Sequence, residues 1–113
     1  MAVLEVQPLP DLPSAAAAAF HLKYLLRAAA LLGDGAQCVT LVFPPADHTQ
    51  RGWRLAAVQA LAREHAPARV NAIAGRSAPA ITATLAYLDA AEGVTGQYLA
   101  LDDLGAGLVV GFA

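Results

Sequence analysis

Cysteine occurs once in these 113 residues, at Cys38, which excludes an intrachain disulfide and a thiolate metal cluster. In mid-strand it reads as an inert core thiol. Charged residues make up only 14%, and the seven Lys and Arg form no run. The electrostatic footprint of a nucleic-acid binder is therefore missing. Histidine appears as His21, His48 and His65, and no two stand at the i, i+4 spacing of a helical metal site. Neither a metal nor a nucleic-acid partner is expected. No charged segment precedes an apolar one at the start, so no signal peptide is expected. Residues 15–32 are long and apolar enough for a membrane span, yet they contain His21, Lys23 and Arg27, and charge at a bilayer centre is costly. The expectation is a soluble, cytoplasmic chain with no membrane partner.

What is abundant is alanine, 28 of the 113 residues, and the apolar fraction reaches 58%, above the ~45–50% usual for globular chains. The length suits one domain with one core, residues 1–113. Surplus alanine favours helices that approach closely, and surplus apolar surface is often hidden in an oligomer.

Breakers and periodicity divide the chain into seven elements. Residues 3–6 form a strand stopped by Pro8, Pro10 and Pro13. Ser14 stands at an N-cap position before a helix over 15–32, closed by Gly33. Phe20, Tyr24, Leu25, Leu31 and Leu32 give that helix one apolar face, while Leu22, Leu26 and the alanines cover much of the rest. Such a helix is usually buried on two sides, one against a sheet and the other against a partner subunit. After the Asp34-Gly35 turn, the β-branched run 37–43 reads as a buried strand ending at Pro44-Pro45. A polar loop (46–50) leads to a helix over 51–65 with Leu55, Val58, Leu61 and Ala62 inward, and with Arg54, Gln59 and Arg63 outward. Residues 69–74 form a strand. The third main helix runs from Ser77 to about residue 91, with Pro79 in its first turn and Ile81, Leu85 and Leu88 inward. Residues 97–101 form a last strand, and the apolar tail 104–113 is expected to pack on a neighbour. The order β-α-β-α-β-α-β is α/β: a roughly four-stranded parallel sheet with three main helices, each crossover being right-handed in the normal case.

Two stretches carry more than patterning. Arg69-Val70-Asn71-Ala72-Ile73-Ala74 and Val94-Thr95-Gly96-Gln97-Tyr98-Leu99-Ala100-Leu101-Asp102 resemble the "RVNAIAPG" and "VTGQ-x-L-x-VDGG" segments of classical short-chain dehydrogenase/reductases (SDRs). Leu61-Ala62-Arg63-Glu64, at its distance before Arg69, is similar to the family's "LA-x-E". The likeness is specific over 55–74 and 94–102 and loose before residue 50. It implies the second half of the SDR fold, from its fourth strand to its seventh: a truncated, Rossmann-like three-layer domain. The half with the Gly-rich turn that holds a dinucleotide pyrophosphate has no counterpart here. No Gly-x-Gly-x-x-Gly occurs in the 113 residues, and Gly105-Ala106-Gly107 opens no helix.

The resemblance also implies where catalytic residues would stand. Counting back from Glu64, the family Tyr falls on Asp47 and the family Lys on Arg51, while the family Asn falls near Ala18. A carboxylate ionised at neutral pH cannot act as the phenolic acid, and Arg is no substitute for a tuned Lys. The family Ser would lie in the loop after Phe43, where Pro44-Pro45 stand. Gly75-Arg76 replaces the "PG" that precedes the substrate-covering segment, and Asp102-Asp103-Leu104 replaces "DGG". The expectation is a non-catalytic, self-associating SDR-like module without cofactor. It would be a homodimer or homotetramer, or a partner of a full-length reductase. In the family, the helices matching 15–32 and 51–65 pack against their copies, so Phe20, Tyr24, Trp53, Ala57 and Ala60 become interface candidates. One alternative is an NAD(P)-linked oxidoreductase, or a subunit of one completed by another chain. A further alternative is a small-ligand domain that uses Asp47, His48, Arg51 and Arg76 beside the strand ends. The first strand is left with an open edge.

Overall fold

The computed structural model describes residues 1–102 and the backbone of residues 109–110. Four strands, β1 (Ala2–Glu5), β2 (Cys38–Phe43), β3 (Arg69–Ala74) and β4 (Tyr98–Leu101), lie side by side in chain order and run parallel. A two-residue strand, β5 (Val109–Val110), pairs antiparallel with β4. That part of the apolar tail pairs with its own chain, although a neighbour was expected to take it; its other residues lie outside those described. β2 and β3 are buried on both faces, as strands in the middle of a parallel sheet must be.

Side-chain alternation assigns the two faces. Val39, Leu41 and Phe43 of β2, Val70, Ala72 and Ala74 of β3, and Tyr98 of β4 belong to the larger core. That core is covered by α1 (Pro13–Lys23), α2 (Leu25–Gly33) and α3 (Arg51–Glu64). Val42, Ile73 and Leu99 point the other way, onto Leu88, Ile81 and Leu85 of α4 (Ala78–Ala90). The fold is thus α/β in three layers, a partial Rossmann-like arrangement. Every crossover steps to the next strand in the same direction, but α4 lies on the face opposite α1, α2 and α3. The β3–α4–β4 connection therefore has the opposite hand to the other two. With those right-handed, as βαβ units nearly always are, this one is left-handed, which corrects the handedness expected for it.

The helix expected over 15–32 is two helices. It begins at Pro13, with Leu12 rather than Ser14 at the N-cap, and it breaks at Tyr24. Tyr24 still links the two, since its amide donates to the Phe20 carbonyl and its carbonyl accepts from Ala28. Its hydroxyl accepts from the Gln7 amide at 3.0 Å, and its ring lies inside the core. Residues 13–33 as a unit are long and apolar enough to cross a membrane by length and composition. In the fold, Ala16, Phe20, Tyr24, Ala28 and Leu32 form their sheet-facing side.

The two stretches that resemble the SDR family face each other. Asn71 is fully buried; its Nδ2 donates to the Val94 carbonyl (2.9 Å) and its Oδ1 accepts from the Gln97 amide (3.0 Å). The Val70 amide donates to Thr95 Oγ1, and the Gly96 amide donates to the Val70 carbonyl. Gly96 has φ +73, a left-handed value that side chains rarely adopt, so the turn needs glycine. Arg69 caps α4 from outside: its Nη1 donates to the Leu88 and Ala91 carbonyls, both at 2.7 Å. A guanidinium there also opposes the negative end of the helix dipole. Ser77 accepts from the Ala80 amide at the other end of α4.

A buried amide that satisfies two backbone groups leaves both of them orphaned when removed. Asn71→Ala is therefore expected to cost about 3 kcal/mol, and Thr95→Val, which loses one bond at an exposed residue, about 1 kcal/mol. Urea denaturation of the two variants reads this; a loss below ~1 kcal/mol for Asn71→Ala would show that water replaces the clasp.

Candidate functional site

Parallel strands all deliver their following loops to one edge of the sheet, and ligand sites of α/β folds form there. Two such loops, residues 8–11 after β1 and 44–47 after β2, enclose a cleft of about 360 Å³. The floor is Ala16 of α1, Gln50, and Arg54 of α3. Pro8, Leu9, Pro10, Pro44 and Pro45 make the walls rigid and apolar. Gln50, buried, ties the two sides together: its Nε2 donates to the Asp11 carbonyl (2.8 Å), and its Oε1 accepts from Trp53 Nε1 (2.6 Å).

Arg54, expected to face solvent, is 3% exposed. Nη1 donates to the Pro44 carbonyl (2.9 Å) and to the Tyr98 hydroxyl (3.0 Å). The guanidinium stacks 4.5 Å from the centre of the Phe43 ring and 5.8 Å from that of Trp53. Its buried Nε has no hydrogen-bond partner. Its hydrogen-bond partners among the described residues are neutral. The helical stripe gave this away only in part: position 54 lies one turn before Val58 and two before Leu61, both expected inward, but a charge there is ordinarily solvated.

The four expected ligand residues do not form one cluster. Asp47 lines the cleft just described. Arg76 lines a separate, shallower depression of about 200 Å³ with Glu5, Gln7 and Ile81; Pro44 is the shared wall. His48 is exposed in the 3-10 turn that precedes α3, and Arg51 is exposed as the first residue of α3; both are absent from either lining. Ala18 lies exposed on α1, outside the cleft. Among the interface candidates, Phe20, Tyr24 and Ala57 are in the core of the single chain, so their side chains cannot meet a partner. This is a correction with a simple cause: Phe20 packs at a tilt against Phe43 and Trp53 at centroid distances of 5.5 and 5.4 Å, completing an aromatic cluster beneath α1. Trp53 and Ala60 are half-buried. Cys38 is buried in β2. Among the described residues, no group of three or more His, Cys, Asp or Glu could hold a metal ion.

A dinucleotide does not fit the residues present at this edge. The loop after β1 carries Pro8 and Pro10 and no glycine, and Pro13 opens α1, so the positions that would supply backbone donors to a pyrophosphate lack N–H groups or carry side chains.

Asp47 caps the 3-10 turn. Its Oδ1 accepts from the Thr49 hydroxyl and from the Thr49 amide, the latter at 2.9 Å. The hydroxyl bond first, and then the amide bond, hold its pKa below the usual carboxylate value. Because the folded-state pKa lies below the unfolded one, the cap is intact above the unfolded value and is lost as pH falls through the folded value. In an NMR titration the Thr49 amide shift is expected to follow that low transition, and Asp47→Asn is expected to abolish it. A midpoint at the ordinary carboxylate value would contradict the cap.

No curated protein and no solved structure matches the chain. The family model described as short chain dehydrogenase-like protein (SDR-like) matches residues 4–101. That span takes in the second half of β1, the whole of β2, β3 and β4, the helices α1 to α4 and the Asn71 clasp: the chain belongs to the SDR-like family.

Proposed function

We infer that this chain is a non-catalytic module of the SDR-like family that associates with a second copy of itself through the outer side of α1, α2 and α3. The observation that carries this reading is on α1 and α2. Leu22 is 82% exposed and Leu26 71%, four residues apart, on the side of these helices turned away from the sheet. Ala18 continues that stripe one turn earlier, and Ala56 is exposed on α3, which touches α1. Small residues around two protruding leucines let a copy of the same surface approach closely, in the self-complementary manner of a two-fold dimer. Lys23 and Arg27 stand nearby with their charges over the Tyr24 ring, at 5.3 and 5.4 Å. That leaves the leucines as the apolar centre of the patch.

Support for the absence of catalysis comes from the positions at which the family register puts its reacting groups. Ala18 offers a methyl and Asp47 a carboxylate already engaged by Thr49. Arg51 offers a cation that does not give up its proton near neutral pH. None of these is a phenol poised for proton transfer.

Substituting both leucines tests the assembly without disturbing the core. Surface changes of this kind alter folding stability by about 0.5 kcal/mol or less each. The parent chain is expected at a multiple of its own mass by native mass spectrometry, and Leu22→Glu/Leu26→Glu at the single-chain mass with an unchanged circular dichroism spectrum. Ala57→Glu, by contrast, places a carboxylate in the core and is expected to lose the fold rather than only the assembly. A parent chain that is monomeric throughout the accessible concentration range, or a double variant that keeps the assembled mass, rules this interface out.

A further inference from the structure

A buried guanidinium whose hydrogen-bond partners among the described residues are neutral is an expensive arrangement, and Arg54 is 3% exposed. Desolvating a charge costs several kcal/mol unless something compensates it. Arg54 has partial compensation from the Phe43 ring, the Pro44 carbonyl and the Tyr98 hydroxyl. Among the described residues no carboxylate is seen bonded to it, and its buried Nε makes no hydrogen bond. The same side chain forms part of the floor of the cleft between the loops after β1 and β2. A buried cation with an unused donor edge, set in a walled cavity, is a site for a carboxylate. Planar two-oxygen acceptors match the guanidinium fork, and the charge-assisted bonds are about twice as strong as neutral ones.

The rest of the lining narrows the ligand. Asp11 and Asp47 also border the cleft, and both are exposed at its mouth. Among the described residues, Arg54 is the only basic one in the lining. Two carboxylates facing one arginine repel a multiply charged anion such as phosphate, and they leave a simple carboxylate with unmatched negative charge at the rim. They match a ligand that is negative at one end and positive at the other. Between the ends the cleft offers Leu9 and four prolines, an apolar wall that suits a hydrocarbon side chain. We propose that this cleft binds a small zwitterion, a free α-amino acid with an apolar side chain. Its carboxylate lies on the Nε edge of Arg54, and its ammonium lies towards Asp11 and Asp47. The corner of the guanidinium at Nη1 is already taken by Pro44 and Tyr98, and the buried Nε is the donor left without a bond. The site stands apart from the outer helical surface proposed for self-association, and each can fail without the other.

The nitrogen-labelled 113-residue chain is titrated with four probes: L-leucine, its deaminated analogue 4-methylpentanoate, its decarboxylated analogue isopentylamine, and inorganic phosphate. The readouts are the Arg54 Nε–Hε resonance and the melting temperature. L-leucine is expected to move the Arg54 resonance saturably and to raise the melting temperature at about 10 mM, enough to fill a millimolar site. The three other probes are expected to bind at least about tenfold more weakly, since each lacks one of the two charge matches. Arg54→Met is expected to abolish the response. Because that variant also removes a core contact and can fail to fold, Asp11→Asn provides the second test. Asp11 is exposed, and its substitution is expected to weaken L-leucine by about threefold, in keeping with a solvent-screened charge pair. The proposal is overturned by no saturable response to L-leucine, or by an unchanged affinity in a folded Arg54→Met. It is overturned equally by phosphate or 4-methylpentanoate binding as tightly as the amino acid, or by an Asp11→Asn chain with parental affinity.

Discussion

The side-chain amide of Asn71 holds the rear half of this sheet in place. It sits in β3 with its face towards α4, fully enclosed, and reaches both the last carbonyl before the Thr95-Gly96 turn and the first amide after it. An enclosed amide without partners would be strongly unfavourable, so the turn and the strand are obliged to meet in one register. β4 follows from that meeting: Ala72, Ile73 and Ala74 pair with Tyr98, Leu99 and Ala100. α4 is secured from the same strand by Arg69, one β-position before Val70 and at the end where α4 finishes. Two residues of one short strand therefore settle both the placement of β4 and the end of the helix that leads to it. Family-like wording in the two stretches is what such paired constraints look like in a linear sequence.

At the opposite edge of the sheet the organising feature is Arg54 among aromatic rings. Phe20, Phe43, Trp53 and Tyr98 come from four separate elements and meet around it. Rings with electron-rich faces and a carbonyl let a cation enter a core that helical periodicity alone would have kept it out of. Periodicity and charge gave conflicting signals at position 54, and charge was the misleading one. The same cluster explains why Phe20 and Tyr24 serve the monomer and not a partner. Once Trp53 and Phe43 are placed above the sheet, the aromatic side of α1 has only one surface to cover.

α1 and α2 therefore have two unlike sides. Inward lie Ala16, Phe20, Tyr24, Ala28 and Leu32; outward lie Leu22 and Leu26. Hydrophobicity all around a helix correctly indicates two apolar surroundings, but it does not say which residues face which. That depends on the rotational setting of the helix, and here the setting is tied to the bond between the Gln7 amide and the Tyr24 hydroxyl.

By itself the sequence determined the element order, because prolines and glycines fall between apolar runs of two distinct periods. It determined the parallel four-stranded core, because β2 and β3 are apolar on both faces, and it determined the family, through residues whose partners are local in the fold. Through the family register it also implied that Asp47 and Arg51 stand where the usual acid and base of the family would be. Only the tertiary structure decided the hand of the last crossover, since nothing in a helix sequence states which side of a sheet it will cover. Only the tertiary structure separated Asp47 from Arg76 into different depressions, and it alone brought Arg54 into the cleft. Both outcomes depend on where loops from distant strands end, and on a cation being compensated by rings supplied by other elements. Those are long-range contacts, and spacing along the chain carries no record of them.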